Sequence, residues 1–92
     1  MTTRTVEIQQ PVERAWERLQ AAAAAVGKVE EANDLSHYLI MKARYGLNPV
    51  RVRISVVSGA GENTSRLEIQ GRGQDLWGVA SRKVIDRLCA NL

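Results

Sequence analysis

His37 and Cys89 are the first residues to consider for chemistry, because the chain contains one histidine and one cysteine. A catalytic histidine needs a second acid, base or nucleophile within hydrogen-bond reach, and a metal-bound one needs two or three further ligands. His37 lies in phase with the apolar side of its predicted strand, where no Asp or Glu accompanies it. Cys89 has no histidine near it in sequence to activate its thiol. The sequence therefore predicts no catalytic residue, no metal site and no cofactor, and we expect no intrinsic catalysis.

Two glycine-rich segments, Gly59–Gly61 and Gly71–Gly73, raise the question of a phosphate-binding loop. Such a loop joins a strand directly to a helix and presents backbone N–H groups at the helix N-terminus. The first segment joins two predicted strands. The second precedes a predicted helix, but it lacks the Lys-Ser/Thr ending, and the carboxylate of Asp75 would repel an anion. Both segments are therefore predicted to be turns.

The elements that position these residues follow from the apolar spacing, which is strand-like in five segments and helical in two. The predicted strands are Thr5–Gln9, Lys28–Asn33, Leu35–Tyr45, Val50–Val56 and Ser65–Gln70, and the predicted helices are Val12–Val26 and Leu76–Leu92. Gly27 is predicted to end the first helix in a left-handed conformation. Asp75 is predicted to cap the second helix.

This order predicts an α+β fold, β-α-β-β-β-β-α, in a single domain over residues 1–92. A sheet with one apolar face must be covered by the two helices available, so both helices are expected on one face of an antiparallel sheet. The segment Lys28–Asn33 is predicted to be an edge strand, because its two apolar residues, Val29 and Ala32, fall on opposite faces and Glu30 and Glu31 discourage further pairing.

The composition is that of a small, mildly basic globular domain, with 13 Lys and Arg, 10 Asp and Glu, and a net charge of +3. No stretch of about 18 apolar residues exists and the N-terminus is polar, so we expect neither a membrane span nor a signal peptide. The expected location is cytoplasmic. So short a chain buries a modest fraction of its surface, which makes a homodimer an open alternative.

The outward face of the predicted sheet is the strongest candidate for contact with a partner. It carries the six cations Lys42, Arg44, Arg51, Arg53, Arg66 and Arg72, together with Glu7 and Glu68. Tyr38, Ile40 and Val57 lie on the same side. Arginine mixed with tyrosine and aliphatic residues is typical of partner-binding surfaces, so Tyr38, Ile40, Arg44, Arg51, Arg53 and Arg66 are predicted to contact a partner.

The apolar sides of the helices carry Trp16 and Trp77, which are predicted to fill the core or to line a small cavity against the sheet. Trp16, His37 and Trp77 are the residues predicted to contact an apolar ligand there.

The short strand leading into Pro11-Val12-Glu13-Arg14-Ala15-Trp16, the meander and a last helix ending Val84-Ile85-Asp86-Arg87-Leu88 resemble a compact helix-grip domain. This is the fold of the START-like superfamily of lipid-transfer proteins and polyketide cyclases, and the resemblance implies an apolar ligand. The same element order resembles the TATA-binding-protein-like fold, whose sheet makes the contacts.

Three functions therefore remain open. The first is a binding module for an apolar ligand or a partner protein. The second is a self-associating structural domain, and the third is nucleic-acid binding through the basic outer face. One interleaving aromatic residue argues against the third, because stacking platforms usually contain more.

Overall fold

The computed structural model describes all residues from 1 to 92, and it confirms the predicted α+β fold with its order β-α-β-β-β-β-α. The strands are β1 (Thr2–Ile8), β2 (Lys28–Asn33), β3 (Tyr38–Tyr45), β4 (Asn48–Ser58) and β5 (Ser65–Gly73), and the helices are α1 (Val12–Val26) and α2 (Val79–Ala90). All neighbouring strands are antiparallel, in the spatial order β1-β5-β4-β3-β2, so β1 and β2 form the two edges. Neither helix has the length and hydropathy needed to cross a membrane.

Both helices pack on one face of the sheet, because alternate residues of the three central strands point to that face and are apolar. Met41 of β3, Val52 of β4 and Ile69 of β5 have no exposed surface. Helix α1 contributes Leu19 and α2 contributes Leu88 to the same core. No helix covers the other face of the sheet.

Strand β2 contains a β-bulge, and the opposite faces predicted for its two apolar residues are therefore wrong. Val29 lies opposite Met41 and Ala32 lies opposite Leu39, with one extra residue, Glu30, between the two pairs. Since directly opposed residues point to the same face, Val29 and Ala32 share the inner face instead of lying on opposite faces. The extra residue of a bulge has this effect because it shifts the alternation by one position.

Gly27 ends α1, but the left-handed conformation predicted for it is wrong. Its φ is −163° and its ψ is −150°, an extended backbone that any residue adopts. Glycine is needed there for close approach, since a Cβ atom would lie 2.2 Å from the carbonyl oxygen of Lys42. This contact places the start of β2 directly beside β3.

Helix α2 begins at Val79, three residues later than predicted. Gly78 adopts a left-handed conformation with φ of 68° and interrupts the helical pattern. As predicted, Asp75 caps the helix, because its Oδ2 atom accepts hydrogen bonds from the backbone N–H groups of Val79 (2.7 Å) and Ala80 (3.3 Å). Leu76 and Trp77 consequently lie in the loop between β5 and α2.

The turn before β3 is longer than predicted. Asn33 Oδ1 accepts hydrogen bonds from the backbone N–H groups of Leu35 and Ser36, which closes a turn where a strand was expected. His37 ends this turn with a φ of 54°, and β3 begins at Tyr38.

Candidate anion-binding face

The uncovered face of the sheet carries a row of four cations across four adjacent strands. Lys28 of β2 lies opposite Lys42 of β3, Lys42 lies opposite Arg51 of β4, and Arg51 lies opposite Arg72 of β5. At the usual spacing of strands the row is about 14 Å long. Like charges placed directly opposite each other destabilise a sheet. This cation row therefore costs stability unless an anion neutralises it.

Glu30 provides part of that neutralisation from the edge of the sheet. Its Oε2 atom lies 3.4 Å from Lys42 Nζ, and its Oε1 atom lies 3.8 Å from Arg51 Nε. Regular alternation already places Glu30 on the same face as Lys28, and the bulge adds Glu31 to that face, opposite Ile40. One carboxylate faces four cations, and Lys28 and Arg72 have no ion-pair partner within 4.0 Å.

A concave trough of about 870 Å³ runs over this face, and we call it the basic trough. Six cations line it: Lys28, Lys42, Arg44, Arg51, Arg53 and Arg72. No lining residue is acidic. Ile40 contributes an aliphatic floor, and Met1 and Gln74 close the end at which β5 finishes. The trough therefore combines a high density of guanidinium groups with open access from solvent.

Tyr38 lies beside the trough and contacts Arg53, which lines it. The guanidinium carbon of Arg53 lies 5.4 Å from the centroid of the Tyr38 ring, within the range of a cation–π contact. The Tyr38 hydroxyl donates a hydrogen bond of 3.0 Å to Glu31 Oε2. That bond to a carboxylate raises the pKa of Tyr38, and the negative charge of Glu31 acts in the same direction.

Most of the residues predicted to contact a partner meet in this one region. Ile40, Arg44, Arg51 and Arg53 line the trough, and Tyr38 adjoins it. Arg66 is on the same face but nearer the other end of β5, where it lies opposite Glu7 in β1 and its Nη2 atom is 3.5 Å from Glu68 Oε2. Arg66 therefore belongs to a region of mixed charge.

Trp16 and His37, two of the three predicted ligand-contacting residues, are neighbours at the end of the core where β3 begins. Their rings meet edge to face with centroids 5.6 Å apart. Trp16 Nε1 donates a hydrogen bond of 2.9 Å to Asp34 Oδ1. His37 Nε2 lies 3.1 Å from Glu13 Oε1, a separation typical of an ion pair, but without the alignment of a hydrogen bond. Trp16 is 4% exposed, so these contacts fasten α1 to the turn before β3.

Trp77 is not part of this cluster, and its predicted place on the apolar side of a helix is wrong. Because α2 begins only at Val79, Trp77 projects from the loop after β5 with 83% of its surface exposed. Strand β5 finishes at the opposite end of the sheet from the start of β3, so the two tryptophans cannot line one pocket.

Sequence reasoning missed Lys28 and Glu30 as members of this face. The signal was present, since Val29 and Ala32 are separated by one residue too many for regular alternation and Glu30 and Glu31 lie between them. A bulge is the simplest way to keep both apolar residues on the inner face.

Comparisons with known proteins assign no family to this chain. No family model matches it, and no curated protein matches it. Among solved structures, the crystal structure of an uncharacterized protein from Bacillus thuringiensis aligns with a TM-score of 0.49 and 15% identity, over 98% of this chain and 88% of the other. A likeness at this level assigns no function, and the resemblance to the START-like superfamily stays a prediction.

Proposed function

We propose that this protein is a binding module for phosphate-bearing polyanions and that the basic trough is its binding site. The observation that carries the proposal is the cation row, in which Lys28, Lys42, Arg51 and Arg72 oppose one another across four strands. Such an arrangement is unfavourable in the free protein and becomes favourable when anions lie along it.

Phosphate fits this site better than an isolated carboxylate. Four of the six trough cations are arginines, whose planar guanidinium forks donate paired hydrogen bonds to phosphate oxygens. A row about 14 Å long needs a ligand that carries several closely spaced negative charges. Chains and surfaces of phosphate groups have that spacing, whereas Glu30 shows that one carboxylate reaches only two of the cations.

The apolar-ligand hypothesis has less support from the geometry. It requires Trp16 and Trp77 to face a shared cavity, but Trp16 is buried against the turn before β3 and Trp77 is exposed at the other end of the sheet. The basic trough, in contrast, is lined by six cations and by no acidic residue.

The proposal is tested by titrating the protein with fluorescently labelled inorganic polyphosphate at low salt and following fluorescence anisotropy. The double variant Lys42→Gln/Arg51→Gln removes the centre of the row, and we expect its affinity to fall at least tenfold. The matched control is Arg14→Gln/Arg18→Gln, which removes the same charge from the exposed surface of α1, outside the trough. Its affinity should stay within about twofold of the wild type.

Two results would reject the proposal. One is the absence of polyphosphate binding at low salt. The other is an equal loss of affinity in the trough variant and in its charge-matched control, because binding would then depend on net charge alone. Circular dichroism of each variant verifies that the sheet and helices are retained.

A further inference from the structure

Exposed apolar residues gather at the end of the sheet where the trough is most basic. We call this the basic end; β1, β2 and β4 begin there, and β3 and β5 finish there. Five large hydrophobic side chains are strongly exposed, and four of them belong to this end: Met1, Leu47, Leu76 and Trp77. Leu47 lies in the turn from β3 to β4, and Leu76 and Trp77 lie in the loop from β5 to α2. Their exposed fractions are 92%, 93% and 83%, so they contribute almost nothing to the core.

Further cations surround these apolar loops. Arg82 and Lys83 are exposed in the first turns of α2, next to the loop that carries Trp77. The acidic groups at this end already have partners within the protein. Glu30 pairs with two trough cations, and Asp75 caps α2. The basic end therefore presents apolar tips within a field of uncompensated positive charge.

We propose that the basic end docks onto the surface of an anionic lipid bilayer. In this arrangement Leu47, Leu76 and Trp77 enter the boundary between headgroups and acyl chains, and the trough cations bind lipid phosphates. The inference rests on the proposed phosphate binding by the trough and identifies the phosphate source as a membrane. Aliphatic tips combined with basic residues are the two components of reversible interfacial binding, and tryptophan favours the headgroup level.

A bilayer accounts for these residues better than a nucleic acid does. Single-stranded nucleic acids use aromatic side chains as stacking platforms, and Trp77 is the one aromatic residue among the four exposed apolar side chains of this end. Contact with phosphates or bases gives exposed leucine side chains little favourable free energy, whereas their transfer from water to the edge of the hydrocarbon layer is favourable.

The experiment mixes the protein with vesicles of phosphatidylglycerol and phosphatidylcholine, or of phosphatidylcholine alone, and follows both sedimentation with the vesicles and tryptophan emission. We expect binding to the anionic vesicles only, with a shift of emission to shorter wavelength as Trp77 leaves water. Trp16 is already buried, so the variant Trp77→Phe should lose this shift. Lipids brominated near the headgroup should quench the wild-type emission.

Leu35 offers a matched control because it is also 93% exposed but lies in the turn before β3, at the opposite end of the sheet. Leu76→Ser should lower the partition coefficient onto anionic vesicles by roughly tenfold or more, which is the expected effect of losing one inserted leucine. Leu35→Ser should leave the coefficient unchanged.

The outcomes separate this inference from the proposed function. If polyphosphate binds through the trough but vesicles neither bind nor shift Trp77 emission, the phosphate function stands and membrane docking is rejected. Equal effects of Leu76→Ser and Leu35→Ser also reject docking. If a single-stranded oligonucleotide changes Trp77 emission while vesicles do not, the partner is a nucleic acid and docking is again rejected. If neither polyphosphate nor vesicles bind, both proposals fail.

Discussion

Arg72 illustrates at the scale of one residue how binding and stability oppose each other on this face. It lies directly opposite Arg51, is exposed, and has no ion-pair partner within 4.0 Å. A residue in this position destabilises the free sheet slightly, and its positive charge becomes favourable when an anion is bound.

Replacing the Arg72 side chain by a neutral polar one should therefore make the folded protein more stable. We expect Arg72→Gln to raise the free energy of unfolding by about 0.2–1 kcal/mol while it weakens polyphosphate binding. Urea denaturation measures the first effect and anisotropy the second. Arg14→Gln is the control, because Arg14 is exposed on α1 and opposes no other cation across the sheet. A loss of stability in Arg72→Gln would mean that the row is not repulsive.

The pKa of the Tyr38 phenol is a measurable property of the outer face of the sheet. Its hydrogen bond to Glu31 raises the pKa of the phenol above the ordinary value of about 10. The folded state therefore favours the protonated phenol. Its contribution to stability is complete below pH 10 and is lost as the pH rises through the higher, folded-state pKa.

The variant Glu31→Gln should move the pKa of Tyr38 down, because it removes the carboxylate that accepts the hydrogen bond. The measurement is the ultraviolet absorbance of tyrosinate against pH in a Tyr45→Phe background, in which Tyr38 is the remaining tyrosine. An unchanged midpoint would show that the bond from Tyr38 to Glu31 does not form in solution.

At the scale of elements, the junction between α1 and β2 sets the position of the edge strand and hence of Lys28 and Glu30. A Cβ atom on Gly27 would lie 2.2 Å from Lys42 O and 3.0 Å from Ala43 Cβ. Since both contacts are too short and the first is with backbone, the strands would have to separate.

We expect Gly27→Ala to lower the free energy of unfolding by about 1–3 kcal/mol, as overpacking does in well-packed interiors. It should also weaken polyphosphate binding, because the edge of the trough would move. Gly61→Ala is the control, since a Cβ atom there would make only ordinary contacts of 3.5 Å and longer. Thermal unfolding of the two variants gives the comparison, and equal midpoints would contradict the close-packing argument.

Periodicity predicted the elements well wherever the apolar residues alternated without interruption. The fourth predicted strand, Val50–Val56, and the first helix, Val12–Val26, occur in the structure with the predicted faces. Periodicity was misleading at Leu76 and Trp77, because Gly78 breaks a pattern that otherwise looks helical. The site was only partly predictable. Alternation within each strand places the cations on one face, but their alignment in a row depends on the order and register of strands that are distant in the sequence.

At the scale of the whole molecule, positive charge and exposed apolar side chains are both concentrated at the basic end. This uneven distribution is the main structural support for the proposed function. The net charge of +3 is ordinary, so composition alone does not reveal it. The opposite end carries acidic groups such as Glu13, Asp34 and Glu68. A molecule of this kind would approach an anionic partner with the basic end first.

The most direct test of the basic trough is the salt dependence of polyphosphate affinity. If the trough cations contact phosphates, log Kd should rise linearly with log salt concentration. The slope should decrease by about one unit for each cation removed, in Arg51→Gln and again in Arg51→Gln/Arg72→Gln. Arg14→Gln, which alters a cation of α1, should leave the slope unchanged. An affinity that does not depend on salt, or a slope that is the same in the wild type and in the double variant, would contradict the account.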